Sequence, residues 1–480
     1  MIPRVRQTTV RRSILAVALI PLVAGTAGGQ VLDRSKRPVA PPPPAFDFPD
    51  VRSHTLPNGL VVRVVENHAL PLVAVRAFIE GGSILDPVGK EGLFSLDTLL
   101  LRDGTTSMSG EQLTAAIDDM GAPVAATRFT TISSSFERSL ALMADMLMHP
   151  SFPAEAVARR KDAATQTLQR VEGTASTVGL RIFNVTLWGA SHPYARTASP
   201  ASIASITRDD IVRFHDANVR PQNVTITIVG DVTDAAAVAA ATKLFGQWQR
   251  TGERVAVNVP AAPTPKPTTI YLFDRPGSTQ STVFIGQTAP SRSTSDFYAL
   301  ETMGGLFGGP TGSRLTMSLR ERRPLTYAVS HYPVWRRAGD PSSIHGSSNV
   351  DATKTDSAIM VWVGELKRLA GPTPPTDAEV AFGKAAMVGS LLTRIETIDE
   401  VANRLNLLAR DALPANFYDD YVRGMNRVTA AEVGAAAAKT IDPAHTAIVV
   451  VGDRKQVEPA LRASGLAPVV IVDQFGVVIP

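Results

Sequence analysis

No cysteine occurs among the 480 residues. That absence excludes disulfides, thiolate metal sites and a cysteine nucleophile, and it removes the residue that would carry a lipoprotein anchor. Aromatic residues are few, at 6%, and charged residues reach only 19%, a balance without disordered or fibrous bias. Histidine is scarce too: the eight, at 54, 68, 149, 192, 215, 331, 345 and 445, include no pair at metal-binding helical spacing. Zinc sites usually announce themselves by such local spacing, so no metal or other cofactor is expected in this chain. The apolar run Ile14–Ala24 is shorter than the roughly 20 residues a membrane helix needs, and no permanent membrane span is expected.

That run follows Arg4, Arg6, Arg11 and Arg12 and precedes small residues around Ala27–Gly29. This is the plan of a secretory signal peptide over residues 1–29, and it predicts an exported, periplasmic protein. Those four arginines with no acid account for the whole formal charge of +4, leaving 4 − 4 = 0 for the mature chain. The basic balance is therefore no argument for a nucleic-acid partner.

Proline is concentrated in two places, Arg37–Pro49 (RPVAPPPPAFDFP) and Val255–Pro267 (VAVNVPAAPTPKP). Such stretches favour extended geometry and build no helix. They divide the chain into a tether at 30–50, an N-terminal domain at 51–254, a linker at 255–267 and a C-terminal domain at 268–480. The two domains share a plan. NVTITIVGDV (223–232) closes the first and HTAIVVVGDR (445–454) the second, with Gly-Asp 222 positions apart (230 to 452). Each domain also opens with strands, at Leu60–Glu66 and Val73–Glu80 and again at Ile270–Asp274 and Thr282–Gln287, then turns helical. Pro57-Asn58-Gly59 marks a hairpin turn, Val124–Phe136 alternates like a strand, and Glu137–Met148 and Ala154–Val171 repeat at helical spacing. The fold class is α+β: two homologous domains, each a mixed β-sheet with helices packed on one face.

Several segments carry a resemblance: LPNG (56–59), EGGS (80–83), GLFSLDTLLLRDGT (92–105), LMADMLMHPSFPAEAVARRK (142–161) and GASHPY (189–194). In this order and spacing the chain resembles the insulinase/pitrilysin family of zinc peptidases, whose domains have a mitochondrial-processing-peptidase-like fold. In that family a His-x-x-Glu-His helix binds zinc, two histidines one turn apart sharing the ion while the glutamate activates water. The resemblance places Ser95, Thr98 and Leu99 where His, Glu and His belong. The glutamates of the family's later helix fall near Gln166 and Thr167. The zinc site is thus degenerate, and the chain is expected to be inactive alone.

The second domain keeps more. GGLFGGPTGSRLTMSLRERRPLTY (304–327) resembles the stretch that faces the zinc site, where the family has an Arg and, seven positions on, a Tyr; Arg320 and Tyr327 fit. The resemblance implies that Arg320 holds a substrate carbonyl and Tyr327 helps stabilise the oxyanion, in trans. Read for themselves, Arg320 is a cation in the last turn of a helix stopped by Pro324, and Tyr327 begins a strand. Gly304, Gly305, Gly308 and Gly309 form either a substrate loop or a tight turn between helices. Two domains make half of the family's four-domain chamber. The partner implied is a zinc-bearing homologue, in a heterodimeric metallopeptidase complex acting on peptides. A structural or assembly protein derived from a peptidase, and a stand-alone peptide-binding module, are the competing functions.

Overall fold

A computed structural model describes residues 48–249 and 252–480; the expected signal peptide and most of the tether lie outside the described residues. The hairpin turn forms as its sequence requires. Gly59 adopts φ 89°, its N–H donates to the Leu56 carbonyl at 2.8 Å, and the flanking strands β1 (Arg52–Thr55) and β2 (Val61–Glu66) pair antiparallel. With β3 (Leu72–Ile79), β4 (Arg128–Ile132) and β5 (Val224–Gly230) they form a sheet of order β1-β2-β5-β3-β4. The strand expected over Val124–Phe136 is shorter in the structure. Ser133–Ser135 turn into a 3₁₀ helix and Phe136 already opens the helix Phe136–Met148, since serines offer the backbone local alternatives to a ladder.

The second sheet contains β6 (Thr269–Asp274), β7 (Gln280–Ala289), β8 (Thr326–Val329), β9 (Tyr332–Val334), β10 (Ser342–Asp351), β11 (Ala447–Gly452) and β12 (Val469–Val472). Its order is β12-β6-β11-β7-β10-β8, with β9 also on β10. The duplication read from the Gly-Asp repeats appears in the pairing. β2 runs parallel to β5, which pairs antiparallel with β3, which pairs antiparallel with β4; β6, β11, β7 and β10 repeat that pattern. Among the described residues no helix or strand lies between Asp234–Phe245 and Thr269.

The α+β class holds, but each sheet is covered on both faces. On one face of the first sheet Val62, Val64, Val73, Val75, Ile226 and Ile228 join a core with helices of the same half. Their neighbours Val65, Ala74 and Val229 point the other way, as period two demands. They pack on Val401, Ala402, Leu405 and Leu408 of helix Ile398–Arg410, which belongs to the second half. The second sheet receives the reverse: Phe284, Val449, Val451 and Val472 pack on Val178, Ile182 and Phe183 of helix Ala175–Trp188 from the first half. There a Cβ on Gly179 would lie 2.6 Å from Phe284 Cε2, so this helix approaches the sheet through its glycine. Polar contacts fix the other exchange. The Arg76 guanidinium bonds Asp399 and donates to Asn403 Oδ1 at 2.8 Å, and Arg63 donates to the Leu405 carbonyl at 3.1 Å.

Two histidines lie inside the second half, His331 buried and His345 half-buried. His345, on β10, stacks obliquely on Phe183 at 4.9 Å between ring centroids, and His331 accepts from Trp362 Nε1 at 3.3 Å. Burial lowers the pKa of His331 to about 3 and of His345 to about 4, so both are neutral in the folded protein.

Each exchanged helix should therefore be essential to both halves. Phe183→Ala and Leu405→Ala are expected to destabilise by about 3–5 and 2–5 kcal/mol in urea unfolding, with one transition for the whole chain. Loss of only one sheet's signal in either variant would contradict the shared core. Unfolded histidine takes up its proton near pH 6.5, so the stability due to neutral burial is complete above that pH. It falls as pH drops from 6.5 and levels off below the folded values of about 4 and 3. His345→Gln should flatten the change in urea midpoint between about pH 7 and 5; an unchanged slope would remove His345 from this account.

Candidate functional site

The helix Leu93–Leu100 begins at Gly92, whose φ of 100° lets the chain turn in. The buried Asp86 carboxylate caps it, accepting from the Gly92 and Phe94 amides at 2.8 Å each; burial raises the pKa of Asp86 against those bonds. Leu93, Leu96, Asp97 and Leu100 face inward. Asp97 is wholly buried and lies 3.0 Å from His215 Nδ1, while His215 Nε2 lies 3.1 Å from the Leu147 carbonyl. The sequence reading gave Asp97 no role. The available signal was an acid at an inward position of an apolar helix, which demands a partner.

Ser95, Thr98 and Leu99 share the outward face, as positions i, i+3 and i+4 must. Ser95 is exposed, Leu99 is 50% exposed, and the half-buried Thr98 donates its hydroxyl back to the Phe94 carbonyl at 3.0 Å. The helix Ala154–Glu172 packs alongside, with Gln166 and Thr167 exposed. These side chains do not fit zinc: Leu99 has no donor, Thr98 is engaged with its own helix, and Ser95 offers one neutral oxygen. No group of three His, Asp or Glu able to hold a metal exists among the described residues.

Arg320 and Tyr327 are brought together. Arg320 lies in the π-helical turn Met317–Glu321, where the Arg322 amide donates to the Met317 carbonyl at 2.9 Å. The turn ends before Pro324 and the chain enters β8, an edge strand carrying Tyr327. The Arg320 guanidinium carbon sits 4.9 Å from the centroid of the Tyr327 ring, which is 82% exposed. Arg320 also lies 3.5 Å from Glu321 Oε1. The cation holds the ring while leaving the hydroxyl in solvent.

The glycine cluster divides. Gly304 and Gly305 are not in a loop: both are buried in the helix Phe297–Phe307. A Cβ on Gly305 would lie 2.7 Å from the Gly383 carbonyl oxygen, and one on Gly383 2.7 Å from the Thr302 oxygen, so two helix backbones touch there. Close packing overrides loop formation at these two positions. Gly308 bridges His331, and Gly309, at φ 130°, leaves room only for the Tyr332 hydroxyl, so these form a fixed turn.

Between the two halves opens a cleft of about 790 Å³, lined by the end of β3, the Glu80–Ile84 loop, Thr98 and residues 334–337. Arg320, Tyr327, Ser95 and Leu99 are not among its walls. Glu80, buried, pairs with Arg254 at 2.8 Å and with Arg337 at 3.3 Å, and Tyr194 donates to Asp340 at 2.8 Å. Burial and that carboxylate push the Tyr194 pKa well above the usual phenol value. Arg336 stacks over Tyr194 at 4.4 Å and burial lowers its pKa.

The duplicated α+β framework thus carries a helix whose outward face offers no metal ligand and, in the other half, an Arg/Tyr pair stacked at a sheet edge. Residues 205–387 match the family described as "Peptidase M16 inactive domain". It is 20% identical over 386 residues to an uncharacterized zinc protease, YmxG, of Bacillus subtilis (strain 168), covering 74% of this chain and 92% of that relative. It is 25% identical over 373 residues to a probable mitochondrial-processing peptidase subunit beta of Arabidopsis thaliana, covering 74% and 69%. The crystal structure of a peptidase M16 inactive domain from Pseudomonas fluorescens shares the fold, with a TM-score of 0.75 and 22% identity over 84% of this chain and 98% of that one. No described helix is long and apolar enough to cross a membrane.

The two faces of Leu93–Leu100 should respond oppositely to substitution. Asp97→Ala removes one partner of a buried pair and is expected to cost about 3–5 kcal/mol in chemical unfolding. Ser95→Ala and Leu99→Ala, on the outward face, should stay within about 0.5 kcal/mol. An Asp97→Ala protein as stable as the parent would show that the inward carboxylate has no structural part.

Proposed function

We propose that this chain is the non-catalytic, substrate-binding subunit of an exported heterodimeric zinc peptidase, pairing in the periplasm with a zinc-bearing homologue that cleaves peptides. One observation carries the proposal: the metal-site helix presents no ligand, while Arg320 and Tyr327 are stacked with the phenol hydroxyl in solvent. An exposed aromatic at a sheet edge, held by a cation, is poorly explained by packing within this chain. A guanidinium and a phenol are both donors suited to a peptide carbonyl and to the oxyanion it becomes. The cleft supports peptide handling, because β3 runs beyond the register of β4 and Phe78 and Ile79 line the wall, offering strand edge to an extended chain.

The test is reconstitution with a zinc-bearing homologue and kinetics on a quenched peptide. Tyr327→Phe should leave assembly intact and lower turnover about 100–1000-fold, the usual loss for one oxyanion donor. Arg320→Ala should weaken substrate binding as well, by removing a charge-assisted bond. Full activity in an assembled double variant would overturn the proposal and put a structural subunit in its place. Export is tested by the N-terminus of the recovered protein, expected near Ala27–Gly29; an intact Met1 on cytosolic protein would reject it.

A further inference from the structure

Beside the cleft, and sharing Trp335, Arg410 and Asp411 with it, lies a second pocket of about 290 Å³. Its charges do not balance. Arg292 and Arg410 both pair with the buried Asp411 at 2.7 Å, which satisfies that carboxylate. The other acid, Glu301, is buried, accepts from Tyr421 at 2.8 Å and from the Trp335 indole, and forms no ion pair with a described arginine. Burial raises the pKa of Glu301, which makes it still less able to neutralise a cation. Arg394 and Arg404 also line the pocket, and neither forms an ion pair with any described carboxylate. On the cleft side Arg336 is the same: it has no ion pair, and its buried Nε has no acceptor. Of the seven arginines lining the two cavities, Arg336, Arg394 and Arg404 are the three without an ion pair among the described residues.

Arginines without an ion pair occur elsewhere among the described residues, as Arg63 does on the Leu405 carbonyl, but here three of them gather around two adjoining cavities. We infer that the pocket receives a carboxylate of the bound peptide, held by Arg394 and Arg404, with Arg336 drawing the anion in from the cleft. This rests on the peptide-handling reading above and names the class of peptide: one carrying an acidic side chain or a free C-terminus near the segment in the cleft. The volume holds a single side chain or terminus, and Tyr418 and Phe417 line the walls together with the guanidinia. Planar guanidinium groups suit a carboxylate because two parallel N–H bonds match its oxygens.

The experiment uses the full mature chain and fluorescence anisotropy with three versions of one short extended peptide. The first has neutral side chains and an amidated C-terminus, the second is the same with a free carboxylate, and the third is amidated with one internal Glu. At least one charged version should bind about tenfold or more tightly than the neutral one, and which of them does identifies the source of the carboxylate. Arg394→Gln and Arg404→Gln should each abolish that preference while leaving the neutral peptide's affinity unchanged. Arg394 is exposed, so its substitution tests the site without threatening the fold. Equal binding of all three peptides, or a preference that survives both substitutions, overturns the carboxylate site and leaves peptide handling standing. Failure of every peptide to bind removes both.

Discussion

A mixed sheet of continuous apolar strands has two faces to hide from water, and each half of this chain supplies helices of its own for only one of them. The structure answers by exchange: helix Ile398–Arg410 closes the back of the first sheet and helix Ala175–Trp188 the back of the second. Everything between the halves follows from that constraint. With Val65 against Leu405 and Phe284 against Phe183, the sheets cannot part without exposing two cores, so the cleft between them is a fixed feature of the fold. The ion pair of Glu80 with Arg337 and the bond from Tyr194 to Asp340 cross the same boundary, as second attachments to a geometry already set by apolar packing.

Much of this was legible in the sequence. The repeated Gly-Asp strand ends gave the duplication, because Gly230 must sit where a Cβ would lie 2.1 Å from the Leu72 oxygen, and no other residue allows that. The Pro57–Gly59 turn and the long helices were equally direct. The exchange was not, since a strand with both faces buried reads as a plain apolar run, and nothing in VTITIV tells whether residues near or distant in sequence cover each side. The glycines at 304 and 305 misled for a related reason. Glycine permits a loop and a helix-to-helix contact equally, and only the position of Gly383 opposite decides between them.

The candidate site was legible where spacing fixes geometry. Seven positions separate Arg320 from Tyr327, and a helical turn broken by Pro324 before a short strand is enough to lay the cation on the ring. The i, i+3, i+4 spacing likewise put Ser95, Thr98 and Leu99 on one face. What sequence could not convey was the arginine pocket. Its members come from residues 292, 335, 394, 404 and 410, and an unpaired charge becomes visible only when every neighbouring acid has been assigned a partner.

The duplication also allows the helix that follows β3 to be compared with its counterpart after β7, and only the first has an open outward face. Asp97 and Glu301 are each the fifth residue of the helix that follows the equivalent strands β3 and β7, and both are buried carboxylates with dedicated partners. The inward side of this helix is thus the same device twice. Outward the copies differ. In the second, the face of helix Phe297–Phe307 is shut by helix Asp377–Leu392, whose Gly383 meets Gly305 at backbone distance. In the first, helix Ala154–Glu172 lies alongside but leaves Ser95, Leu99, Gln166 and Thr167 in solvent. The same inward device thus leaves one outward face open and the other closed, and the difference lies in how closely the neighbouring helix approaches, which in the second copy depends on glycine meeting glycine.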